Sequence, residues 1–230
     1  MIYFNRIILY YIPFLNSFTV DTVIKILGIN GSPRKYGNTF KMLSLALKAV
    51  KDMGGETELI NIYEYRIEPC RGCVSENILE CRYPCIINDD MKIIYDKILD
   101  SNGIIIATPV YWYNLSGHLK NMIDRLTALE NMINIEDKSW LEGKVAGVIA
   151  VGDDSGVIEV IANLYVTLNS MGMIIPPWAL AYINRRDDVE NNLDRLMDAY
   201  NVGRCVFLIA KILEEYKIDK WYLYDKKRIS

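Results

Sequence analysis

Gly28-Ile29-Asn30-Gly31-Ser32-Pro33-Arg34-Lys35-Tyr36-Gly37-Asn38-Thr39 is a glycine-rich turn between two apolar stretches of different period. Leading into it, Ile24 to Ile29, apolar but for Lys25, reads as the first buried strand. After it, Thr39 to Met53 carries Phe40, Leu43, Leu47 and Val50 near helical spacing and stops at Gly54-Gly55. The turn therefore opens a βα unit. Free N–H groups and the positive end of the helix dipole attract a phosphate at such a junction; Ser32, Asn38 and Thr39 can add hydrogen bonds and Arg34 a charge. The Gly-Lys-Ser/Thr ending of a Walker loop and the GxGxxG spacing of a dinucleotide site are both missing, so one terminal phosphate fits best. The same residue types also build ordinary turns and caps, and the loop alone leaves that role open.

Downstream, the alternation of strand and helix patterns continues. Strands are expected at Thr57 to Ile62, Gly103 to Ala107, Lys144 to Val151 and, briefly, Met173 to Ile175. Helices are expected at Asp90 to Leu99, capped by the Asp89-Asp90 pair, at Ser116 to Leu129, at Gly156 to Met171 and at Asp188 to Glu215. This predicts an α/β doubly wound sheet of five parallel strands in order 2-1-3-4-5, with ligand where strands one and three diverge. Residues 1–22 form an N-terminal extension, 23–215 the single domain with a cysteine-rich loop at 68–88, and 216–230 a tail. A phosphorylated receiver domain of the same architecture is disfavoured, because strand one ends in Asn30-Gly31 and strand three in Thr108-Pro109 rather than in acidic residues.

After strand three, Pro109-Val110-Tyr111-Trp112-Tyr113-Asn114 places three aromatics at the mouth of the sheet, a stacking surface for a planar ring. Paired with the phosphate loop across the predicted switch point, it favours a ligand with a phosphate at one end and a flat ring at the other. A second cluster, Cys70, Cys73, Cys81 and Cys85, has the spacing C-x2-C-x7-C-x3-C. Four thiolates can hold an iron-sulfur cluster or a tetrahedral zinc; disulfides and free thiols remain open on spacing alone. Cys205 reads as a small core residue.

Composition narrows the function classes. The chain has 230 residues, 51% hydrophobic and 24% charged, which suits one globular domain and argues against disorder. A net charge of -3 with scattered Lys and Arg gives no footprint for nucleic acid. The apolar stretch Ile7 to Leu15 is too short to span a bilayer, is interrupted by Pro13 and lacks a following cleavage pattern, so a cytoplasmic protein without membrane attachment is expected. His118 is the only histidine, which leaves a Ser-His-Asp or Cys-His hydrolase a single candidate base.

Four motifs in order carry a family resemblance: Gly31-Ser32-Pro33-Arg34 with Gly37-Asn38-Thr39, Cys85-Ile86-Ile87-Asn88-Asp89-Asp90-Met91, Pro109-Val110-Tyr111, and Asp124-Arg125. Together they resemble the NAD(P)H-dependent FMN reductases of the flavodoxin-like superfamily, particularly the cysteine-bearing iron-sulfur flavoproteins. The resemblance implies FMN, its phosphate held by Ser32, Arg34, Asn38 and Thr39 and its ring lined by Pro109, Val110, Tyr111, Trp112, Tyr113 and Asn114, with Gly152 completing the pocket. It implies NAD(P)H as electron donor and a [4Fe-4S] cluster on Cys70, Cys73, Cys81 and Cys85. The spacing departs from the compact C-x2-C-x2-C of those flavoproteins, with Glu76 at the third position and Cys81 in its place. The expected function is an FMN-dependent oxidoreductase passing electrons to a further acceptor. The alternatives are a non-enzymatic FMN electron carrier and a zinc-stapled interaction protein. A helix apolar nearly all round, from Val157 to Leu168, points to a homodimer or homotetramer.

Overall fold

The computed structural model describes residues 22–186, 188–218 and 220–223; the expectations for 1–21 and 224–230 lie outside the described residues. Five strands, β1 (Lys25–Asn30), β2 (Glu56–Asn61), β3 (Gly103–Pro109), β4 (Val145–Gly152) and β5 (Leu180–Asn184), form one parallel sheet in the order β2-β1-β3-β4-β5. The interior strands are covered on both faces. Ile104, Ile105, Ile106 and Ala107 of β3 are fully buried, which is why the strand reads as an unbroken apolar run rather than an alternation.

The helices are α1 (Asn38–Asp52), α2 (Met91–Leu99), α3 (Gly117–Arg125), α4 (Thr127–Glu130), α5 (Ile133–Glu136), α6 (Val157–Ser170) and α7 (Leu193–Glu215). On one face of the sheet, Met42, Leu43, Leu47 and Val50 of α1 pack with Val202, Val206 and Phe207 of α7. On the other, Ile94 and Ile98 of α2, Leu119 and Ile123 of α3, and Val160 and Leu164 of α6 form the second core layer. The α1–α7 crossing is close enough to demand glycine: a Cβ at Gly203 would lie 1.8 Å from the Ala46 carbonyl oxygen.

Several boundaries differ from the sequence reading. Met173 to Ile175 is not the fifth strand; Ile174 makes only an isolated bridge to Val145. Pro176-Pro177 then removes two backbone donors, the chain turns through Trp178 at φ 58, and pairing resumes at Leu180. The helix expected from Ser116 to Leu129 breaks at Leu126 into α3 and α4. The last helix starts at Leu193, not Asp188, because Asp188 caps a short 3-10 turn at Val189–Asn191 and Asn192 caps α7 through Arg195 N–H. Asp90 sits at the N-cap of α2 but its side chain makes no cap bond; its carboxylate accepts from Arg66 N–H at 2.7 Å.

Candidate functional site

The C-terminal ends of β1, β3, β4 and β5 surround a cavity of about 640 Å³, a volume typical of small-molecule sites. Its floor is the N-terminus of α1. Gly37, the N-cap, offers no side-chain cap, and no acidic residue stands in the first turn, so the leading N–H groups and the dipole of a 15-residue helix point into the cavity. Ser32 and Thr39 are buried beside it, and Arg34 is exposed at its rim. The loop is held in shape from behind: Gly31 N–H donates to Ala107 O at 2.7 Å, Ser116 Oγ donates to Gly31 O at 2.6 Å, and Arg34 N–H donates to Ser32 Oγ at 3.1 Å.

Of the sequence-predicted residues, Ser32, Arg34, Asn38, Thr39, Pro109, Val110, Tyr111 and Gly152 all line this cavity. Trp112, Tyr113 and Asn114 do not. Tyr111 and Asn114 close a tight turn on each other, at 2.8 and 3.1 Å, with Trp112 (φ 50) and Tyr113 (φ 62) at its tip. Both central residues lie in the left-handed region, which turns Trp112 outward to 94% exposure. Asn38 serves a different purpose from the one expected of its side chain, since its Oδ1 accepts from Val189 N–H at 3.2 Å and ties the segment after β5 to α1.

Arg185, Arg186 and Asp188 line the cavity and were missed. Their signal was the charged run directly after β5, hidden because that strand was placed too early. The two carboxylates that line the cavity, Asp153 and Asp188, are both paired. Asp153 pairs with Arg186 at 2.7 Å and Asp188 with Lys41 at 2.6 Å, so neither carboxylate repels an entering phosphate with its full charge. A Cβ at Gly152 would stand 2.7 Å from Asn184 Oδ1 and 2.8 Å from Val157 Cγ1, so a larger residue would force those two side chains to shift.

The four clustered cysteines lie on the long connection from β2 to α2, and all five cysteines are free thiols. Burial pushes the Cys81 thiol up to about 12, with Cys73, Cys70 and Cys85 adding to the shift, so the four sulfurs share one electrostatic neighbourhood. Gly72 N–H donates to Cys70 Sγ at 3.4 Å. Among the described residues, no three His, Cys, Asp or Glu side chains converge on a single-ion centre. A tetrahedral zinc would draw the sulfurs to roughly 3.8 Å from one another, as Zn–S bonds of about 2.3 Å require. A polynuclear cluster accepts a wider set, and the all-thiol donor chemistry fits it. Cys205 is apart from this group, half-buried on α7. His118 lies outside the cavity; its Nε2 is 3.0 Å from both Ile62 O and Tyr65 O, where an Nε2–H donates and fastens α3 to the segment after β2.

A parallel sheet of this order, with a cavity at the C-terminal ends of its strands, defines a flavodoxin-like α/β protein. The chain belongs to the NADPH-dependent FMN reductase family, whose model matches residues 24–186. An iron-sulfur flavoprotein of Methanocaldococcus jannaschii is 38% identical over 203 residues, covering 84% of this chain and 100% of that one. An iron-sulfur flavoprotein of Methanosarcina thermophila is 35% identical over 157 residues, covering 66% of this chain and 76% of its own. The fold is shared with the solved structure of RosB bound to an 8-demethyl-8-formylriboflavin-5'-phosphate intermediate, at TM-score 0.69 and 16% identity over 89% of this chain and 92% of that one. By family, the protein is an NAD(P)H-dependent flavin oxidoreductase. No described helix is long and apolar enough to cross a membrane.

Proposed function

We propose that this chain binds one FMN in the cavity, takes hydride from NAD(P)H, and passes electrons onward through a [4Fe-4S] cluster on Cys70, Cys73, Cys81 and Cys85. The observation that carries the reading is the uncapped N-terminus of α1 opening into a cavity of flavin size. FMN would supply two-electron chemistry toward the nicotinamide, and the cluster one-electron chemistry toward the acceptor.

The chain's own residues position these reactions. Ser32, Thr39 and the backbone N–H groups of Asn38 and Thr39 hold the phosphate, with Arg34 closing the rim. Pro109, Val110 and Tyr111 face the ring from the β3 side and Gly152 from the β4 side. Trp112 and Tyr113 stand outside, held in a left-handed turn that costs about 1–3 kcal/mol per residue. With the exposed stripe Ile158, Ala162 and Val166 on α6, they form the contact of a homodimer or homotetramer.

The test is anaerobic purification with an absorption spectrum, iron, zinc and flavin analysis, and steady-state NAD(P)H oxidation. The reading expects one FMN and about four irons per chain, with NAD(P)H turnover. Flavin without turnover identifies a carrier, and a colourless zinc protein removes the flavin reading altogether.

A further inference from the structure

The four cysteines sit on a connection with almost no regular structure, and one buried ion pair fastens both of its ends. Arg125, the last residue of α3, is 1% exposed, and the Asp89 side chain is fully buried. The guanidinium forks onto the carboxylate, Nη1 to Oδ2 at 2.8 Å and Nη2 to Oδ1 at 3.1 Å. Nη1 also donates to Glu68 O at 3.0 Å. Asp89 in turn accepts from Glu68 N–H at 2.8 Å and Met91 N–H at 3.1 Å. Glu68 and Asp89, which flank Cys70 to Cys85, are thus pinned to each other and to α3 through one pair.

The pair does more than staple. Buried ion pairs are often no more stabilising than apolar side chains of the same volume, so stability alone does not account for this one. The Arg125 Nε is buried with no hydrogen-bond partner among the described residues. Burial works against the guanidinium charge, and the Asp89 hydrogen bonds hold it in place. Tyr95 fixes the same residue from its backbone side, donating its hydroxyl to Arg125 O at 2.6 Å. A permanent positive charge, oriented by a carboxylate, therefore lies in the low-dielectric interior at the base of the cysteine loop, where Asp89 follows Cys85 by four positions.

We infer that Asp89 and Arg125 are the positioning pair of the four-cysteine centre: they bring its thiols into register, and their buried charges set its reduction potential. This rests on the iron-sulfur reading above. A cluster with four thiolate ligands is anionic and gains a further negative charge on reduction, so a nearby guanidinium favours the reduced form and a nearby carboxylate opposes it.

The experiment is redox titration of the anaerobically reconstituted full chain, followed by EPR, for wild type, Asp89→Asn and Arg125→Gln. It is joined by hydrogen exchange over residues 66–91 in the metal-free, FMN-loaded protein. Asp89→Asn is expected to raise the cluster potential and Arg125→Gln to lower it, with FMN content unchanged. Arg125→Lys keeps the charge and loses the fork, so it should leave the potential near wild type while exchange in 66–91 accelerates at least tenfold. It also carries the test if Arg125→Gln does not fold. Shifts of the same sign in both charge variants, or unmoved potentials with unmoved exchange, overturn this inference and leave the cluster reading intact. A wild-type protein that takes up no iron overturns the cluster reading itself.

Discussion

Gly203→Ala sets two physical effects against each other with opposite signs. Gly203 lies inside the 23-residue helix α7, where alanine is favoured over glycine by about 1 kcal/mol of helix propensity. Propensity alone predicts a more stable protein. The added methyl, however, would sit 1.8 Å from the Ala46 carbonyl oxygen, 2.6 Å from its carbon and 3.0 Å from its Cα, all backbone of α1. No rotamer relieves a clash with backbone, so the two helices must separate. Overpacking of this kind costs about 3 kcal/mol at the upper end of its usual range. The net expectation is a loss of about 2 kcal/mol, or a fall in Tm of roughly 4–8 °C for a domain of this size. Because the N-terminus of α1 floors the cavity, FMN should bind more weakly although Gly203 does not line it. Thermal denaturation of the flavin-free protein, together with fluorescence titration of FMN, measures both. A Tm equal to or above that of the wild type would show that the α1–α7 crossing yields without cost, and the packing argument would be wrong.

Arg34→Ala should weaken FMN binding about tenfold or more at low salt and leave the Tm unchanged, because one charge-assisted hydrogen bond from an exposed rim is lost. Tyr111→Ala should cost up to about tenfold in FMN affinity by removing a ring contact, whereas Trp112→Ala should change it less than about twofold, since Trp112 lies outside the cavity; equal losses in calorimetry would place both on the ring. Burial pushes the Lys144 amine down to about 8, with Asp100 pulling the other way, while its Nζ donates to Leu99 O and Ser101 O. A folded-state value below the unfolded one means that the unfolded chain holds the extra proton between that value and about 10.5, so this group makes stability rise with pH across that window. Urea denaturation of wild type and Lys144→Met at both ends of the window should show wild type gaining stability relative to the variant as pH rises; a constant difference would refute it.

The strand order and the turn that opens α1 were legible because both depend on local pattern. Ile104 to Ala107 must be apolar throughout to lie between two helical layers, and the run from Gly31 to Thr39 must combine turn and donor residues to open a helix. The fifth strand was less legible: Ile174 has the apolar character of a strand, and only the missing donors of Pro176-Pro177 and the turn at Trp178 send the pairing on to Leu180. That displacement hid Arg185 and Arg186 from the sequence reading of the cavity.

Sequence by itself thus determined the class of fold, the glycine-rich turn that opens the first helix and the presence of four thiols within one loop, since periodicity and residue chemistry are properties of neighbours in the chain. The tertiary structure decided which aromatics face the cavity, because a two-residue left-handed turn sends Trp112 outward and leaves Tyr111 inside. It also decided that Arg125 belongs to the cysteine loop. That residue lies 36 positions from Asp89, and no local pattern records a pairing made only when α3 packs against the base of the loop.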